Sequence, residues 1–139
     1  MTGRLVLMGS GELAPTMVST HRKTMEAVGA SEVVLLDTPF GFQENVEVLT
    51  DKIVEFFDVS LRKATTVASL RTTAATAAEV ERTLATVRRA RYVFAGPGSP
   101  SYALGIWQSV DLAPALREVI ANDGAIVLAS AAALTAGLK

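Results

Sequence analysis

The sequence of 139 residues contains no cysteine, and this absence limits its chemistry before any pattern is considered. No disulfide can stabilise the fold, no thiolate can bind a metal, and a nucleophile must be a serine, a threonine, a lysine or a carboxylate. The sequence also has no large excess of positive or negative charge, because 13 basic and 14 acidic residues give a net charge of −1. We therefore expect no nucleic-acid partner, and we expect neither a metal site nor a cofactor.

Long hydrophobic runs are absent from the amino terminus as well. The segment MTGRLVLMGSGE holds one short apolar run before its glycines, which is shorter than a signal peptide or a membrane span requires. We expect a cytoplasmic protein with no membrane partner. Hydrophobic residues make up 50% of the chain and charged residues 19%. This composition favours elements that are buried on both faces, or a surface that contacts a partner. A homo-oligomer is one form that such a contact could take.

Short apolar runs recur along the chain and alternate with helical patterns. Continuous rather than alternating apolar runs are typical of strands that helices cover on both faces. The predicted strands are RLVLM at 4–8, EVVLLD at 32–37, TTVASL at 65–70, RYVFA at 91–95 and AIVLA at 125–129, and the predicted helices span 16–28, 43–59, 77–87 and 112–120. This order predicts one three-layer α/β domain, flavodoxin-like, with a mostly parallel central sheet and an undetermined strand order.

Glycines, hydroxyls and charged residues follow the predicted strands. Ligands of open parallel sheets bind beyond the carboxyl ends of the strands, so these residues form the candidate site for a small substrate. The candidate substrate-binding residues are Gly9, Ser10, Gly11, Glu12, Asp37, Arg71 and Ser99.

A nucleotide-binding interpretation competes for part of this site. Gly9, Gly11 and Ala14 match the GxGxxG/A pattern after a first strand, and Asp37 ends the second strand, where a Rossmann fold has its ribose-binding acid. Pro15 delays the helix past the loop, whereas a dinucleotide site needs the helix to begin within the glycines. The alternative is a tight turn between strand and helix.

The segment GPGSPS at 96–101 combines glycines with prolines that fix the backbone. Such a rigid loop can present backbone N–H groups to a developing oxyanion. It can equally be a stiff connector before a helix that Ser99 or Ser101 caps.

Ser130 lies between a buried strand and a helical start made of small residues. In a nucleophile elbow, a serine occupies a strained turn with small neighbours, and the N–H of the next residue contributes to the oxyanion hole. Leu128 and Ala132 stand where the GxSxG motif has its glycines. Serine is also a preferred helix N-cap, so the stretch by itself leaves both interpretations open.

The segments FAGPGSPSYAL and LASAAALTAG, together with LVLMGSGE and LLDTPFGF, make the sequence resemble the cyanophycinase and dipeptidase E family of serine peptidases. These are relatives of the class I glutamine amidotransferase fold in which serine replaces the cysteine nucleophile. The resemblance implies that Ser130 is the nucleophile, that the N–H groups of Gly98 and Ala131 form the oxyanion hole, and that the substrate contains a peptide or amide bond.

A serine nucleophile needs a positioned histidine, and the only histidine is His21, within the first predicted helix. Its spacing from Met17 and Met25 places it on or beside the core-facing side of that helix, which indicates a structural histidine. The resemblance places the base and its acid after Ser130, yet the sequence ends at Lys139. We therefore expect a single domain over 1–139, truncated at its carboxyl end, that is inactive or serves assembly alone.

Overall fold

Five strands form one sheet in the computed structural model, which describes residues 3–9, 11 and 13–135. The elements are β1 Arg4–Met8, α1 Val18–Val28, β2 Glu32–Leu36, α2 Val46–Leu61, β3 Ala64–Ala68, α3 Ala77–Arg88, β4 Tyr92–Ala95, α4 Pro100–Ser109, α5 Ala113–Ala121, β5 Ala125–Ala129 and α6 Ala131–Thr135, with 3-10 turns at Pro15–Met17 and Thr38–Phe40. All five predicted strands are present.

The sheet has the order β1-β5-β4-β2-β3, and every pair of neighbouring strands is parallel. This confirms the predicted three-layer α/β class with a parallel sheet. It also supplies the strand order, which the sequence left undetermined. The chain moves toward β3 in its first two connections and back toward β1 in the next two.

Because parallel crossovers are right-handed, connections that move in opposite directions place their helices on opposite faces of the sheet. The packing follows this rule. Met25 of α1 and Ile53 of α2 belong to the core on one face, whereas Val87 of α3, Ile106 of α4 and Val119 of α5 belong to the core on the other. The sheet thus lies between two separately packed layers of helices, and the candidate site residues follow its strands.

Burial on both faces holds for the three central strands and fails at the edge. Every residue of β4 and β5 is buried, and so are four of the five in β2. On β1, in contrast, Leu5 is 56% exposed and Leu7 is 55% exposed. The apolar run at 4–8 therefore forms the predicted strand, but helices do not bury both of its faces as expected.

Helix boundaries depart from the predictions where turn chemistry intervenes. The first helix was expected from Thr16, but Pro15–Met17 form a 3-10 turn and α1 begins at Val18, because proline has no N–H for the helix and its ring restricts the preceding residue. The second helix was expected over 43–59 and spans Val46–Leu61. Among the described residues, no helix is both long enough and apolar enough to cross a membrane.

Candidate functional site

Ser130 occupies the turn between β5 and α6 with a backbone that serine rarely adopts. Its φ is +51°, in the left-handed region, which costs a non-glycine residue about 1–3 kcal/mol. Its N–H donates to the Met8 carbonyl at 3.1 Å, and its carbonyl accepts from the Ala133 N–H at 3.1 Å. An ordinary N-cap serine has an extended backbone. The observed geometry favours the strained elbow over the simple cap.

The loop after β4 has an equally constrained glycine. Gly98 has a φ of +133°, and a Cβ built on it would overlap the Pro39 carbonyl group and lie 2.7 Å from the Phe40 nitrogen. Ser99 follows, and its N–H donates to the Pro39 oxygen at 2.8 Å. Only glycine fits at position 98 while the loops after β2 and β4 remain this close.

Ser99 also caps α4, as one of the two interpretations of the loop predicted. Its hydroxyl accepts a hydrogen bond from the Tyr102 N–H at 3.2 Å. The loop is therefore both a rigid, partly exposed segment and the start of a helix. This hydroxyl thus has a capping role, and the expected contact of Ser99 with a substrate stays a prediction.

The elbow and the glycine loop lie beside each other. Strands β4 and β5 are neighbours in the sheet, and the Ala132 N–H of α6 donates to the Gly96 carbonyl at 3.2 Å. The exposed Gly98 thus belongs to a segment that is hydrogen-bonded to the helix following Ser130. Ala131 is the first residue of that helix.

Asp37 is held in the structure by donors from the segment after β3. Its side chain is fully buried, and its carboxylate accepts hydrogen bonds from the Ser69 hydroxyl at 2.9 Å, the Leu70 N–H at 2.8 Å and the Arg71 Nε at 2.8 Å. These three donors and its burial give Asp37 a structural role in joining the ends of β2 and β3. The expected contact of Asp37 with a substrate stays a prediction.

Arg71 is held between two carboxylates. Its guanidinium donates to Asp37 and, at 2.7 Å, to Glu47, and the hydrogen bond to Asp37 is the main reason that the pKa of Arg71 is raised. The side chain is 32% exposed and lines a polar cleft of about 610 Å³ beside α3. Ser130 does not line that cleft, and strands β4 and β2 lie between β5, which precedes Ser130, and β3, which precedes Arg71.

The nucleotide-binding interpretation is wrong on topology. A Rossmann fold needs its ribose-binding acid on the strand beside β1, but β5 and β4 lie between β1 and β2. Three strand spacings amount to about 14 Å, and Asp37 is buried among its own partners besides. Gly9 and Gly11 lie at the end of β1, next to the strand that carries Ser130, with Gly11 at a φ of +86°. Ser10 and Glu12 lie outside the described residues.

His21 is a core residue, as its spacing indicates. It is fully buried, its Nδ1 lies 2.7 Å from the Tyr92 hydroxyl, and the rings of Phe56, Phe57 and Phe94 surround it with centroids 5.1–5.7 Å away. It packs in the layer of α1 and α2. His21 therefore packs as a core residue against Tyr92 and the phenylalanine rings. Within the described part of the chain, no group of three histidine or carboxylate side chains could hold a metal ion.

Two residues that contribute to this edge of the sheet were not singled out from the sequence. Pro39 supplies the carbonyl against which Gly98 and Ser99 rest, and the Tyr102 hydroxyl donates to the Arg71 carbonyl. A signal existed for Tyr102, since it lies in the first turn of a helix that Ser99 was expected to cap. No local pattern marks the carbonyl of Pro39.

Solved structures share this fold at low sequence identity. A peptidase from an acI-B1 actinobacterium matches with a TM-score of 0.77 and 17% identity, over 95% of this chain and 55% of its own. A candidate peptidase E from Listeria monocytogenes EGD-e matches with a TM-score of 0.64 and 15% identity, over 95% of this chain and 60% of its own. No family model and no curated protein matches the sequence. The chain thus spans little more than half the length of these two structures.

Proposed function

We propose that this chain carries the nucleophile and oxyanion-binding half of a hydrolase that acts on amide or peptide bonds, with Ser130 as the nucleophile. The observation that supports it most is the positive φ of Ser130 between β5 and α6, since a nucleophile elbow holds its serine in such a turn. The rigid Gly98 loop on the adjacent strand supports the same role. The fold shared with the two peptidase structures agrees with this proposal.

In the proposed reaction, the Ser130 Oγ attacks the carbonyl carbon of the scissile bond while its proton passes to a general base. The carbonyl oxygen becomes an oxyanion, to which the N–H groups of Gly98 and Ala131 donate. Collapse breaks the C–N bond, and the amine leaves with the proton that the base returns. Water then attacks the acyl ester in the same manner and restores the serine.

The proposed reaction needs a general base, and His21 is the only histidine among the 139 residues. His21 is buried in the layer of α1 and α2, whereas Ala132, in the helix after Ser130, packs in the core on the other face of the sheet. We propose that the base comes from outside the 139 positions, and that the chain by itself hydrolyses amides very slowly, because loss of one member of a triad removes most of the rate.

Chemical rescue tests this proposal on the chain as it is. A fluorophosphonate phosphonylates an activated serine with loss of fluoride, and free imidazole in the buffer can accept the serine proton in place of the missing base. We expect imidazole to raise the labelling rate by at least about tenfold, since general bases contribute factors of this size or more. Ser130→Ala should abolish the imidazole-dependent part.

Ser101 offers an internal control, because it is exposed in the first turn of α4, next to the β4 loop. Ser101→Ala should leave the imidazole-dependent rate unchanged. A rate that does not respond to imidazole, or one that persists in Ser130→Ala, would reject Ser130 as the nucleophile.

A further inference from the structure

Hydrogen bonds connect three loops at the carboxyl edge of the sheet, and the loop after β5, which holds Ser130, is not one of them. They are the β2 loop at 37–42, the β3 loop at 69–76 and the β4 loop at 96–99. Loops of parallel sheets are usually independent connections on the surface. Here each of the three contacts the other two or the helix that follows them, so the connections form a closed ring.

Asp37 makes the first connection, between the β2 and β3 loops. Its buried carboxylate accepts from Ser69, Leu70 and Arg71 at 2.8–2.9 Å. Hydrogen bonds to an ionised, buried acceptor are among the strongest in proteins. The start of the β3 loop therefore has a fixed position relative to the end of β2.

Tyr102 makes the second connection, between the β3 loop and the beginning of α4. Its hydroxyl donates to the Arg71 carbonyl, and its ring packs on Phe42 of the β2 loop with a centroid distance of 4.9 Å. Its N–H donates to the Ser99 hydroxyl. The Tyr102 side chain thus contacts the β3 and β2 loops, and its backbone N–H is hydrogen-bonded to Ser99 of the β4 loop.

Pro39 closes the ring. Its carbonyl accepts from the Ser99 N–H at 2.8 Å and leaves no room for a side chain at Gly98. The position of the Gly98 backbone is set by the β2 loop, and the β2 loop is set by Asp37 and the Tyr102 ring.

We propose that Asp37 and Tyr102 are positioning residues, which fix the β4 loop so that the Gly98 N–H is aligned with the oxyanion formed at Ser130. This rests on the proposed function. Asp37 and Tyr102 touch neither Ser130 nor a substrate in this account, and they act through Arg71, Pro39 and Ser99. Their loss should lower the rate of the chemical step and leave binding of a small reagent unchanged.

Tyr102→Phe tests the connection with the least disturbance, because the ring and its contact with Phe42 remain. Tyr92→Phe is the matched control, since it also removes one hydrogen-bonded hydroxyl, from the His21 pair in the other helix layer. Hydrogen exchange followed by mass spectrometry should show faster exchange of the Ser99 N–H in Tyr102→Phe. In Tyr92→Phe it should match the wild type. Equal exchange of Ser99 in all three proteins would overturn the ring of connections.

Labelling by fluorophosphonate with imidazole then tests the effect on reactivity. We expect Tyr102→Phe to lower the maximal labelling rate roughly 10- to 100-fold, the range expected for a misplaced oxyanion donor, with an unchanged half-saturating reagent concentration. Tyr92→Phe should keep the wild-type rate, and Asp37→Asn should repeat the pattern of Tyr102→Phe. A wild-type rate in Tyr102→Phe, or a change confined to half-saturation, would overturn the positioning role.

The two experiments separate this inference from the proposed function. If the wild type is never labelled at Ser130, the proposed function fails, and with it the catalytic purpose of the ring, whereas the exchange rates still decide whether the ring exists. If Ser130 is labelled and Tyr102→Phe changes neither measurement, the positioning role fails and the proposed function stands.

Discussion

Gly98 is a position in the candidate site where the structure accepts only a residue without a side chain. Its φ of +133° and its contact with the Pro39 carbonyl both exclude a Cβ. Ser130 follows β5, which is the next strand along the chain and the neighbour of β4 in the sheet, and it adopts a positive φ with a full side chain. Strain of this kind is typically found where a function requires it.

Gly98→Ala should destabilise the protein, because the backbone conformation alone costs an alanine about 1–3 kcal/mol and the overlap with Pro39 must also be relieved. Gly105→Ala is the matched control. Gly105 is exposed within α4, and a Cβ there would meet no atom within 4 Å, so alanine should stabilise by about 0.5–1 kcal/mol. Urea unfolding of both variants measures the difference. Equal stabilities would show that position 98 is not constrained.

Tyr92 predicts a dependence of stability on alkaline pH. Burial raises the pKa of Tyr92 above its ordinary value of 10.0, so the unfolded chain releases this proton at a lower pH than the folded chain. The free energy of unfolding should therefore decrease as the pH rises above about 10. Urea unfolding at a series of pH values should show a shallower decrease in Tyr92→Phe. Identical slopes for the two proteins would contradict the assignment.

At the scale of the elements, α3 has the most clearly defined start. Thr76 accepts from the Glu79 N–H at 3.2 Å, and the Glu79 carboxylate accepts from the Thr76 N–H at 2.7 Å, which is a complete capping box. The same hydrogen bond from the Thr76 backbone lowers the pKa of Glu79. The helix begins where the predicted range of 77–87 placed it.

Thr76→Ala should lower the free energy of unfolding by about 1 kcal/mol. Thr73→Ala, the same change at an exposed position of the preceding loop, should remain within about 0.5 kcal/mol of the wild type. Because the pKa of Glu79 is lowered, its share of the cap is present above about pH 4.5 and is lost as the pH falls further. Thr76→Ala keeps the backbone N–H that donates to Glu79, so wild type and Thr76→Ala should both lose this share at pH 3, and chemical denaturation at pH 7 and pH 3 checks this.

The elements were predictable because each carries its own signal. The apolar runs of β1 and β5 have the predicted bounds, and β2 ends one residue early. Strand order has no such local signal, since right-handed crossovers allow several orders. The nucleotide interpretation failed for this reason: it placed Asp37 beside the glycines of β1, whereas two strands intervene.

The candidate site shows the same division. Ser130 and Gly98 could be found because each follows a strand and has small or rigid neighbours. The burial of Asp37 could not, because it depends on Arg71, which is 34 positions away. Nor could the role of Pro39 be predicted, since its backbone carbonyl and not its side chain meets Ser99.

At the scale of the whole molecule, β1 is an edge strand with exposed apolar side chains. Leu5 and Leu7 are both more than half exposed and lie on a strand with one free edge. Free edges and contiguous apolar surface favour association with another chain. We propose that the chain self-associates through this edge.

Leu7→Lys should reduce that association, because a lysine on an edge strand opposes further pairing. Val59→Lys is the control, since Val59 is 66% exposed on α2 and lies away from the edge. Sedimentation velocity over a range of concentrations should show association for the wild type and Val59→Lys and a shift toward monomer for Leu7→Lys. A wild type that stays monomeric throughout would contradict the proposal.

The role of Ser130 is tested most directly by finding which residue a fluorophosphonate modifies. Peptide mapping by mass spectrometry after labelling in imidazole should place the phosphonyl group on the segment 125–135 and, by fragmentation, on Ser130. The exposed Ser101 should remain unmodified. Modification spread over exposed serines, or none at Ser130 at any imidazole concentration, would contradict the account of this chain as the nucleophile-bearing part of a hydrolase.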